Sequence, residues 1–456
     1  MKNIVLLGAG RSSSVLLDYL KEHADEMQWK ISVADVSLNH AKEIVKEHRS
    51  FSFHDLSKDV SLKEKLIAES DIVISMLPAN CHFEIARFCI THKKHLVTAS
   101  YVSKEMKEME EEVKKHQLIF MNECGLDPGI DHLSAMQIID ELHAVSYTHL
   151  RAHETGRKNI HGFESFCGGL VAPSCDDNPW RYKFTWNPRN VVIAGQGGAA
   201  KFLQEGTYKY IPYHKLFRRT EVIDIEGYGK FEGYANRDSL SYIDIYGLQG
   251  IKTMFRGTLR RLGFCRAWDL FVQLGMTDDS YTIPDSDKMT HRQFINLFLA
   301  YNRHDSVELK LKHYLKLEQD DVDIWEKLEY TGIFSSEKIG LKNATPAQIL
   351  QHILEKKWKL KEHDKDMIVM FHKFHYVDTQ NKMNELHSYL VVEGSEQHRT
   401  AMAKTVGLPI GIVTKMILEG AIQQRGVLVP VHQEVYLPLL NELKNYGINF
   451  TEKKII

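Results

Sequence analysis

Residues 4–13 read Ile-Val-Leu-Leu-Gly-Ala-Gly-Arg-Ser-Ser, a short apolar run that passes directly into a glycine-rich turn. An apolar helical pattern follows from Val15 to Leu20, so the order is strand, turn and helix. In such a turn, backbone N–H groups approach a pyrophosphate and the helix N-terminus supplies partial positive charge. A plain structural turn is the alternative, because Ser13 replaces the usual third glycine. We predict that the cofactor is bound here by Gly8, Gly10, Arg11, Ser12 and Ser13.

A second apolar run, Ile31 to Ala34, ends at Asp35. A carboxylate at about this distance downstream binds the ribose hydroxyls of an adenosine. Its charge would repel a 2′-phosphate, so Asp35 favours NAD over NADP. The alternative is that Asp35 caps the helix predicted near Leu38, and one carboxylate could do both.

Strand and helix patterns continue to alternate after Asp35, at residues 71–78, 82–89, 96–101, 104–115 and 118–121. This alternation predicts an α/β fold with a doubly wound parallel sheet, whose ligands lie at the carboxyl ends of the strands. Three polar segments fall at such ends: Ser75 to Pro78, Ser100-Tyr101 and Asn122 to Asp127. We expect them to lie close together.

The last of these segments belongs to residues 121–132, which read Met-Asn-Glu-Cys-Gly-Leu-Asp-Pro-Gly-Ile-Asp-His. Gly125, Pro128 and Gly129 are incompatible with a regular helix, so the segment should be a turn that holds its polar groups at fixed angles. Such turns between a strand and a helix carry the chemistry of many α/β enzymes. Taken by itself, Asp-Pro-Gly is also an ordinary surface turn.

Composition limits the classes of partner. The 456 residues are 43% hydrophobic and 26% charged, which is typical of a soluble globular protein with two or three domains. A net charge of −2 without a basic face argues against nucleic acid or membrane-surface partners and favours small molecules. The first apolar run is too short for an export signal, and no later segment is expected to span a membrane. The six cysteines lack CxxC spacing, which favours reduced thiols in a cytoplasmic protein and no metal site.

Further motifs give the sequence a family resemblance. They are TASYVS at 98–103, NECGLDPGIDH at 122–132, FCGGLVAP at 166–173, ANRDS at 235–239, RGTLR at 256–260 and AMAKTVGLP at 401–409. Together, and in this order, they resemble the L-glutamate-forming saccharopine dehydrogenases, also called saccharopine reductases. The resemblance extends from the first predicted strand to the last predicted helices.

The resemblance also implies a domain order. Residues 1–125 would form a Rossmann-type NAD(P)-binding domain, and residues 126–265 with 366–395 an α+β substrate and dimerisation domain. Residues 266–365 fit a mainly helical insertion, and residues 396–456 fit a C-terminal segment that returns to the first domain. The implied assembly is a homodimer.

The family's site residues carry over to matching positions. Asp127 matches a position that contacts both the substrate and the nicotinamide side of the cofactor. The other positions implied to bind substrate are Ser100, Tyr101, Cys167, Gly168, Arg237, Thr258, Leu259 and Arg260, and further cofactor positions are Leu77, Pro78, Leu126 and Pro128. Arginines suit a substrate rich in carboxylates, although a solvated surface charge is the alternative for any single arginine. Residues 167–170 are expected to form a tight loop, in which Cys167 lines the site and is not a nucleophile.

The reaction implied is NAD(P)-dependent oxidation of the secondary amine of saccharopine to an imine, which water cleaves to L-glutamate and 2-aminoadipate 6-semialdehyde, or the reverse. Hydride leaves only from a neutral amine, so a base must take its proton. Asp127 is the candidate, with Asp131 or His132 in reserve, although Asp131 could be a helix cap. The alternatives are a related imine or amino-acid reductase, such as a carboxynorspermidine-type dehydrogenase, and a non-catalytic NAD-binding protein.

Two segments resemble sites that we do not predict. Residues 195–198 look like a phosphate loop but lack the Lys-Ser/Thr that follows one, so a turn into a helix at 199–203 is favoured. Residues 145–155, VSYTHLRAHET, interrupt the family pattern and read like a translated sequencing adapter, so we interpret them as an artefactual insert. His149 and His153 have the spacing of a helical metal pair, but we predict an exposed loop without a metal.

Overall fold

The computed structural model describes residues 1–59, 61–147, 160–318, 321–378 and 380–455. The strands are β1 Lys2–Leu7, β2 Trp29–Asp35, β3 Phe51–Asp55, β4 Ile72–Ser75, β5 His95–Thr98, β6 Ile119–Met121, β7 Ile160–Val171, β8 Ala200–Gln204, β9 Thr207–Ile211, β10 Thr220–Ile225, β11 Gly229–Ala235, β12 Thr253–Arg261, β13 Asp366–Val377, β14 Met383–Glu393, β15 Gly426–Leu428 and β16 Thr451–Ile455. The helices are α1 Ser14–Ala24, α2 Asn39–Val45, α3 Leu62–Glu69, α4 His82–His92, α5 Lys104–Glu108, α6 Glu110–Lys115, α7 Ile130–Tyr147, α8 Pro188–Val192, α9 Tyr242–Ile245, α10 Phe264–Leu274, α11 His291–Asn296, α12 Val307–Leu315, α13 Val322–Tyr330, α14 Pro346–Trp358, α15 Ala401–Leu418 and α16 Gln433–Asn445.

The chain packs as two compact units. The first comprises Met1–Asn159, Val377–Lys382 and Leu390–Glu452, and the second comprises Ile160–Tyr376, Met383–Tyr389 and Lys453–Ile456. The boundary at Asn159 differs from the domain boundary expected at 125, because α7 belongs to the first unit. There the Tyr436 hydroxyl of α16 donates a hydrogen bond of 2.5 Å to Asp140 of α7.

The first unit is built on a parallel sheet in the order β15-β6-β5-β4-β1-β2-β3. Residues 4–7 of β1 are almost completely buried, which is why this strand reads as a continuous apolar run. β1 pairs with β2 on one side and with β4 on the other, so the strand order reverses at β1. Ligands of doubly wound sheets bind in the crevice at such a reversal, beyond the carboxyl ends of the strands. The predicted fold class is therefore confirmed.

Helix α15 packs tightly against α1 in this unit. A Cβ added to Gly407 would lie 2.7 Å from the backbone nitrogen of Leu16, and one added to Gly411 would lie 2.5 Å from Cδ1 of Tyr19. The two glycines therefore allow a close approach of the helices. By length and composition α15 could cross a membrane, contrary to the expectation that no segment would, but 78% of its apolar window is buried inside the protein, as in a core helix.

Local patterns missed three features of the first unit. Strand β3 was not predicted, because its residues are only partly buried and its sequence, Phe-Ser-Phe-His-Asp, contains no continuous apolar run. The single helix expected over residues 104–115 is divided at Met109 into α5 and α6. The expected strand at 96–101 ends at Thr98, which leaves Ser100 and Tyr101 in the following loop.

The second unit contains a mixed sheet in the order β10-β11-β12-β7-β13-β14-β16. β7 runs parallel to β12 and antiparallel to β13. Phe166 of β7 fills space that two neighbouring glycines leave open, since a Cβ on Gly233 or Gly257 would lie 2.7 Å from its ring. The region expected to be a helical insertion carries α10 to α14, and these helices pack around the buried rings of Trp180, Trp268 and Trp358.

The helix predicted at residues 199–203 of the second unit was wrong. Residues 200–204 instead form β8, which pairs antiparallel with β9. Within β8, Phe202 is buried and its neighbour Lys201 is exposed, as expected for adjacent residues of a strand that packs one face on the core. Of the suspected insert, helix α7 includes residues up to Tyr147, and the rest lies outside the described residues.

Candidate active site

The glycine turn after β1 is shaped by close contact with the segment after β4. Gly8 has φ +91°, and a Cβ there would lie 2.8 Å from the carbonyl carbon of Met76. A Cβ on Gly10 would meet nothing within 4 Å, so open space lies beside the turn. Ser13, in the place of the third glycine, is buried and donates its hydroxyl hydrogen to the Gly10 carbonyl at 2.7 Å. The turn thus fits a pyrophosphate at the start of a helix.

Asp35 closes this turn from the end of β2. One carboxylate oxygen accepts a hydrogen bond from the Ala9 N–H at 2.5 Å, and the other accepts from the Ser37 N–H at 2.9 Å. Helix α2 has no side-chain cap, so the alternative that Asp35 caps this helix is not what the structure shows. The carboxylate is instead held against the glycine turn, where it places negative charge beside the cofactor position.

A buried histidine connects the ends of β4 and β5. His82, the first residue of α4, has Nδ1 2.9 Å from the Ser75 hydroxyl oxygen and Nε2 2.8 Å from the Ser100 hydroxyl oxygen. Thr98 Oγ1 is 3.3 Å from the same Nε2. Burial lowers the pKa of His82 to about 4, so the ring is neutral near pH 7. Leu77 and Pro78, which precede α4, are half-buried and exposed respectively.

Residues 122–129 form a turn between β6 and α7, whereas residues 130–132 of the predicted turn are the first residues of α7. The Gly125 N–H donates to the Pro128 carbonyl at 3.0 Å, and the Ile130 N–H donates to the Gly125 carbonyl at 2.9 Å. Gly129 has φ +146°, where a Cβ would overlap the Gly125 backbone. Asp127 is half-buried at the tip of the turn, and the Tyr101 hydroxyl donates to it across 3.4 Å. The first unit therefore brings Tyr101 and Asp127 together, as the sequence predicted.

The two reserve candidates for the base lie beneath this turn. Asp131 and His132 are 1% and 0% exposed. Asp131 accepts from the Gly129 N–H at 2.6 Å, and His132 Nε2 lies 2.9 Å from a Glu123 carboxylate oxygen. The other oxygen of Glu123 accepts from the Val102 N–H at 3.0 Å. These groups join the loop after β5 to the loop after β6, so they hold the turn in place.

In the second unit, the residues expected to form a loop are part of a strand. Cys167 and Gly168 lie within β7, so the prediction of a tight loop was wrong. The glycine is needed because β12 approaches closely: a Cβ on Gly168 would lie 2.7 Å from the Leu259 carbonyl oxygen. Cys167 is buried and pairs in register with Thr258. The structure thus places both residues beside the Thr258-Leu259-Arg260 segment.

The two predicted substrate arginines have different surroundings. Arg237 is exposed with φ +44°, and its carbonyl accepts from the Lys201 N–H at 2.7 Å. Arg260 is 6% exposed, with its guanidinium carbon 5.2 Å from the ring centre of Tyr182 and 5.3 Å from that of Phe264. Its Nε has no hydrogen-bond acceptor among the described residues. Such a buried donor costs about 1–3 kcal/mol if it stays unpaired.

A sequence model described as "Saccharopine dehydrogenase NADP binding domain" matches residues 4–121, and one described as "Saccharopine dehydrogenase C-terminal domain" matches residues 125–448.

The chain belongs to the saccharopine dehydrogenase family.

Within this family, the chain is 32% identical to the "Saccharopine dehydrogenase [NADP(+), L-glutamate-forming]" of Saccharomyces cerevisiae, over 100% of this chain and 99% of that one. It is also 32% identical to the mitochondrial alpha-aminoadipic semialdehyde synthase of Bos taurus, but it spans only 48% of that relative's length. The apo saccharopine dehydrogenase structure from S. cerevisiae has a TM-score of 0.86 at 31% identity and 100% coverage of both chains. The first unit of this saccharopine dehydrogenase family member accordingly contains an NAD(P)-binding domain.

Sequence reasoning missed several polar residues that support the site. His82 was placed only on a predicted helix, and Thr98 only on a predicted strand. Glu123 was noted only as part of the motif at 122–132, and the sequence did not indicate its hydrogen-bond partners. A single histidine at the start of a helix gives no local signal, because its hydrogen-bond partners lie on β4, on β5 and in the loop after β5.

Proposed function

We propose that this chain is an L-glutamate-forming saccharopine dehydrogenase, an oxidoreductase that acts on the CH–NH group of saccharopine with NAD(P) in lysine metabolism. The observation that carries the proposal is its likeness, from end to end, to the yeast protein of that name. The local geometry supports it, since Asp127 and Tyr101 lie together at the carboxyl ends of neighbouring strands in a dinucleotide-binding sheet.

The reaction requires a residue of the chain to accept or orient the proton of the substrate's secondary amine. The bound dinucleotide supplies the hydride acceptor, and the carbon–hydrogen bond beside the secondary amine of saccharopine is broken. Asp127 receives or orients the amine proton, because its half-exposed carboxylate is the acidic group at the tip of the turn. The Tyr101 hydroxyl holds that carboxylate in position. Water then cleaves the imine to L-glutamate and 2-aminoadipate 6-semialdehyde, and one proton is released.

The substrate carboxylates are proposed to bind residues of the second unit. The Nε of Arg260 is a buried donor without an acceptor among the residues that the structure describes, and a carboxylate would satisfy it. Arg237 is an exposed residue, and Thr258 adds a hydroxyl on the same face of β12 as Arg260. Arg260→Lys should raise the KM for saccharopine, because an ammonium cannot reproduce the planar guanidinium contact.

We further propose that the chain prefers NAD to NADP. The fungal relatives are named for NADP+. In this chain, however, the carboxylate of Asp35 is fixed at the end of β2 by the Ala9 and Ser37 N–H groups. A fixed negative charge there disfavours the 2′-phosphate of NADP. Parallel initial rates with NAD+ and NADP+ test this preference directly.

A homodimer formed through the second unit is also proposed. Large apolar side chains stand exposed on its outer strands: Tyr208 and Tyr210 of β9 are 61% and 59% exposed, and Val222 of β10 is 63% exposed. Light scattering on the purified chain should give twice the monomer mass, and a monomer would contradict the assembly. A cytoplasmic location remains a prediction that cell fractionation tests.

The function itself is tested by incubating the purified chain with saccharopine and either dinucleotide. The expected result is reduced nicotinamide with an equal amount of L-glutamate. A folded protein that binds the dinucleotide but oxidises a carboxylated polyamine instead would replace this function with that of a related imine reductase.

A further inference from the structure

The hydrogen bonds of Ser75, His82 and Ser100 form a buried line between two strand ends. Ser75 is 0% exposed and His82 is 5% exposed, whereas Ser100 is partly accessible. The two short contacts of the ring, 2.9 Å to Ser75 and 2.8 Å to Ser100, use both of its nitrogens. What one nitrogen does therefore determines what the other can do.

The buried end of the line decides the tautomer. Among the described residues, the hydrogen-bond partner of the Ser75 side chain is His82 Nδ1. If Nδ1 carried the proton, the Ser75 hydroxyl would accept it and have no acceptor for its own hydrogen. If Nδ1 is unprotonated, Ser75 donates to it and is satisfied. The Thr98 hydroxyl, 3.3 Å from Nε2, lacks an acceptor for its hydrogen within the described part of the chain in both arrangements, because Nε2 is already engaged with Ser100 at 2.8 Å. The second arrangement is favoured because an unpaired buried hydroxyl is costly.

The tautomer of His82 determines whether the Ser100 hydroxyl can donate a hydrogen bond to a ligand. With Nδ1 accepting, the neutral ring carries its proton on Nε2 and donates it to Ser100 Oγ. The Ser100 hydroxyl hydrogen is then free to point away from His82, towards an acceptor outside the line. In the opposite tautomer, Ser100 would have to give its hydrogen to Nε2, and it could offer an incoming ligand only lone pairs.

We propose that His82 is a positioning residue that, as the neutral Nε2–H tautomer, turns the Ser100 hydroxyl into a donor for a carboxylate oxygen of the substrate. This inference rests on the proposed function, because Ser100 is assigned to the substrate there by family resemblance. Two features keep the ring neutral: burial lowers its pKa to about 4, and the positive end of the α4 dipole disfavours a cation at its first turn.

The kinetic test is a double-mutant cycle with His82→Leu and Ser100→Ala. Each single variant should raise the KM for saccharopine about tenfold, the value of one hydrogen bond to a charged group, with little change in dinucleotide binding. The double variant should be no worse than Ser100→Ala, because His82 acts through that hydroxyl. Independent effects, about a hundredfold in the double variant, would overturn the proposal.

Two further variants separate positioning from folding. Ser75→Ala removes only the far end of the line, so it should keep the fold and raise the KM by a few-fold. His92→Gln is the matched control at the other end of α4, where the ring contacts Glu64 at 3.0 Å, and its KM should match that of the unaltered chain. An unchanged KM in Ser75→Ala would contradict the proposal.

The tautomer can be observed without any turnover. In ring-15N-labelled protein, the His82 signals are identified by their loss in His82→Leu, and near pH 7 the proton should be on Nε2. A proton on Nδ1 would refute the proposal even if saccharopine is the substrate. Failure of the unaltered chain to oxidise saccharopine would refute the proposed function instead, and it would leave the tautomer result standing.

Discussion

Replacing Asp35 with asparagine should change which dinucleotide this chain uses. The carboxylate accepts from two backbone N–H groups, Ala9 at 2.5 Å and Ser37 at 2.9 Å, so its position is fixed. Asparagine keeps the shape but offers one acceptor oxygen, so one of these bonds is lost together with the charge. Asp35→Asn therefore tests how the negative charge of this side chain affects the choice of dinucleotide, at a site of similar shape.

The expected size follows from simple electrostatics. A unit charge about 5 Å from a phosphate charge costs about 3 kcal/mol at an effective dielectric constant near 20, and solvent screening reduces this to roughly 1–2 kcal/mol. Relief of that repulsion improves kcat/KM for NADP+ about tenfold. Loss of the carboxylate contacts to the ribose of NAD+ costs about 1 kcal/mol, or roughly fivefold. The ratio of the two efficiencies should shift by about fiftyfold towards NADP+.

Initial rates of nicotinamide reduction with each dinucleotide measure this ratio. Asp59→Asn is the matched control: Asp59 lies in an exposed loop and also accepts from a backbone N–H two residues on, that of Ser61 at 2.8 Å. The control should leave the ratio unchanged. A ratio in Asp35→Asn that equals that of the control would refute the reasoning that Asp35 selects against the 2′-phosphate.

Three other changes have defined outcomes. Gly8→Ala places a Cβ 2.8 Å from the Met76 carbonyl carbon at φ +91°. The substitution should lower the free energy of unfolding, measured by thermal unfolding, by about 1–3 kcal/mol and weaken NADH binding in a fluorescence titration. Unaltered NADH binding would contradict the shape of the turn. Gly168→Ala places a Cβ 2.7 Å from a carbonyl oxygen of β12 and should lower the free energy of chemical unfolding by about 1–3 kcal/mol; a neutral effect would contradict the close approach of the strands. Burial of Asp177 opposes ionisation, but contacts with Lys183 and a second lysine outweigh it and lower the pKa to about 2. The stability that comes from this depressed pKa is present above the ordinary value of 3.8 and is lost as the pH falls towards 2. Acid unfolding followed by circular dichroism should therefore show that stability declines less steeply with falling pH in Asp177→Asn than in the unaltered chain. Equal slopes in the two proteins would contradict the assignment.

The sequence predicted those features that depend on local patterns. The strand, glycine turn and helix at residues 4–20 and the strand that ends at Asp35 are in the structure as expected, because buried parallel strands read as continuous apolar runs. The turn at 122–129 was predicted because Gly125, Pro128 and Gly129 exclude a helix, although α7 already begins at Ile130. Its contact with Tyr101 followed from the convergence of strand ends at one edge of a parallel sheet.

The misses depend on packing between distant residues. Gly168 was read as a loop residue, because no local feature shows that β12 passes so close to it that only a glycine fits. The roles of His82 and Glu123 are set by partners on other strands and loops. Asp131 and His132 were candidates for the base by residue type alone, and their burial beneath the turn could not be read from the sequence.

The central claim is tested most directly by the oxidation of saccharopine, measured by the absorbance of reduced nicotinamide, on the chain with and without residues 145–155. The account predicts L-glutamate as product and a loss of at least about a hundredfold in kcat in Asp127→Asn, with dinucleotide binding retained. If the folded, dinucleotide-binding chain forms no reduced nicotinamide from saccharopine, the assignment of the reaction is contradicted. If Asp127→Asn keeps full activity, the assignment of Asp127 as the base is contradicted.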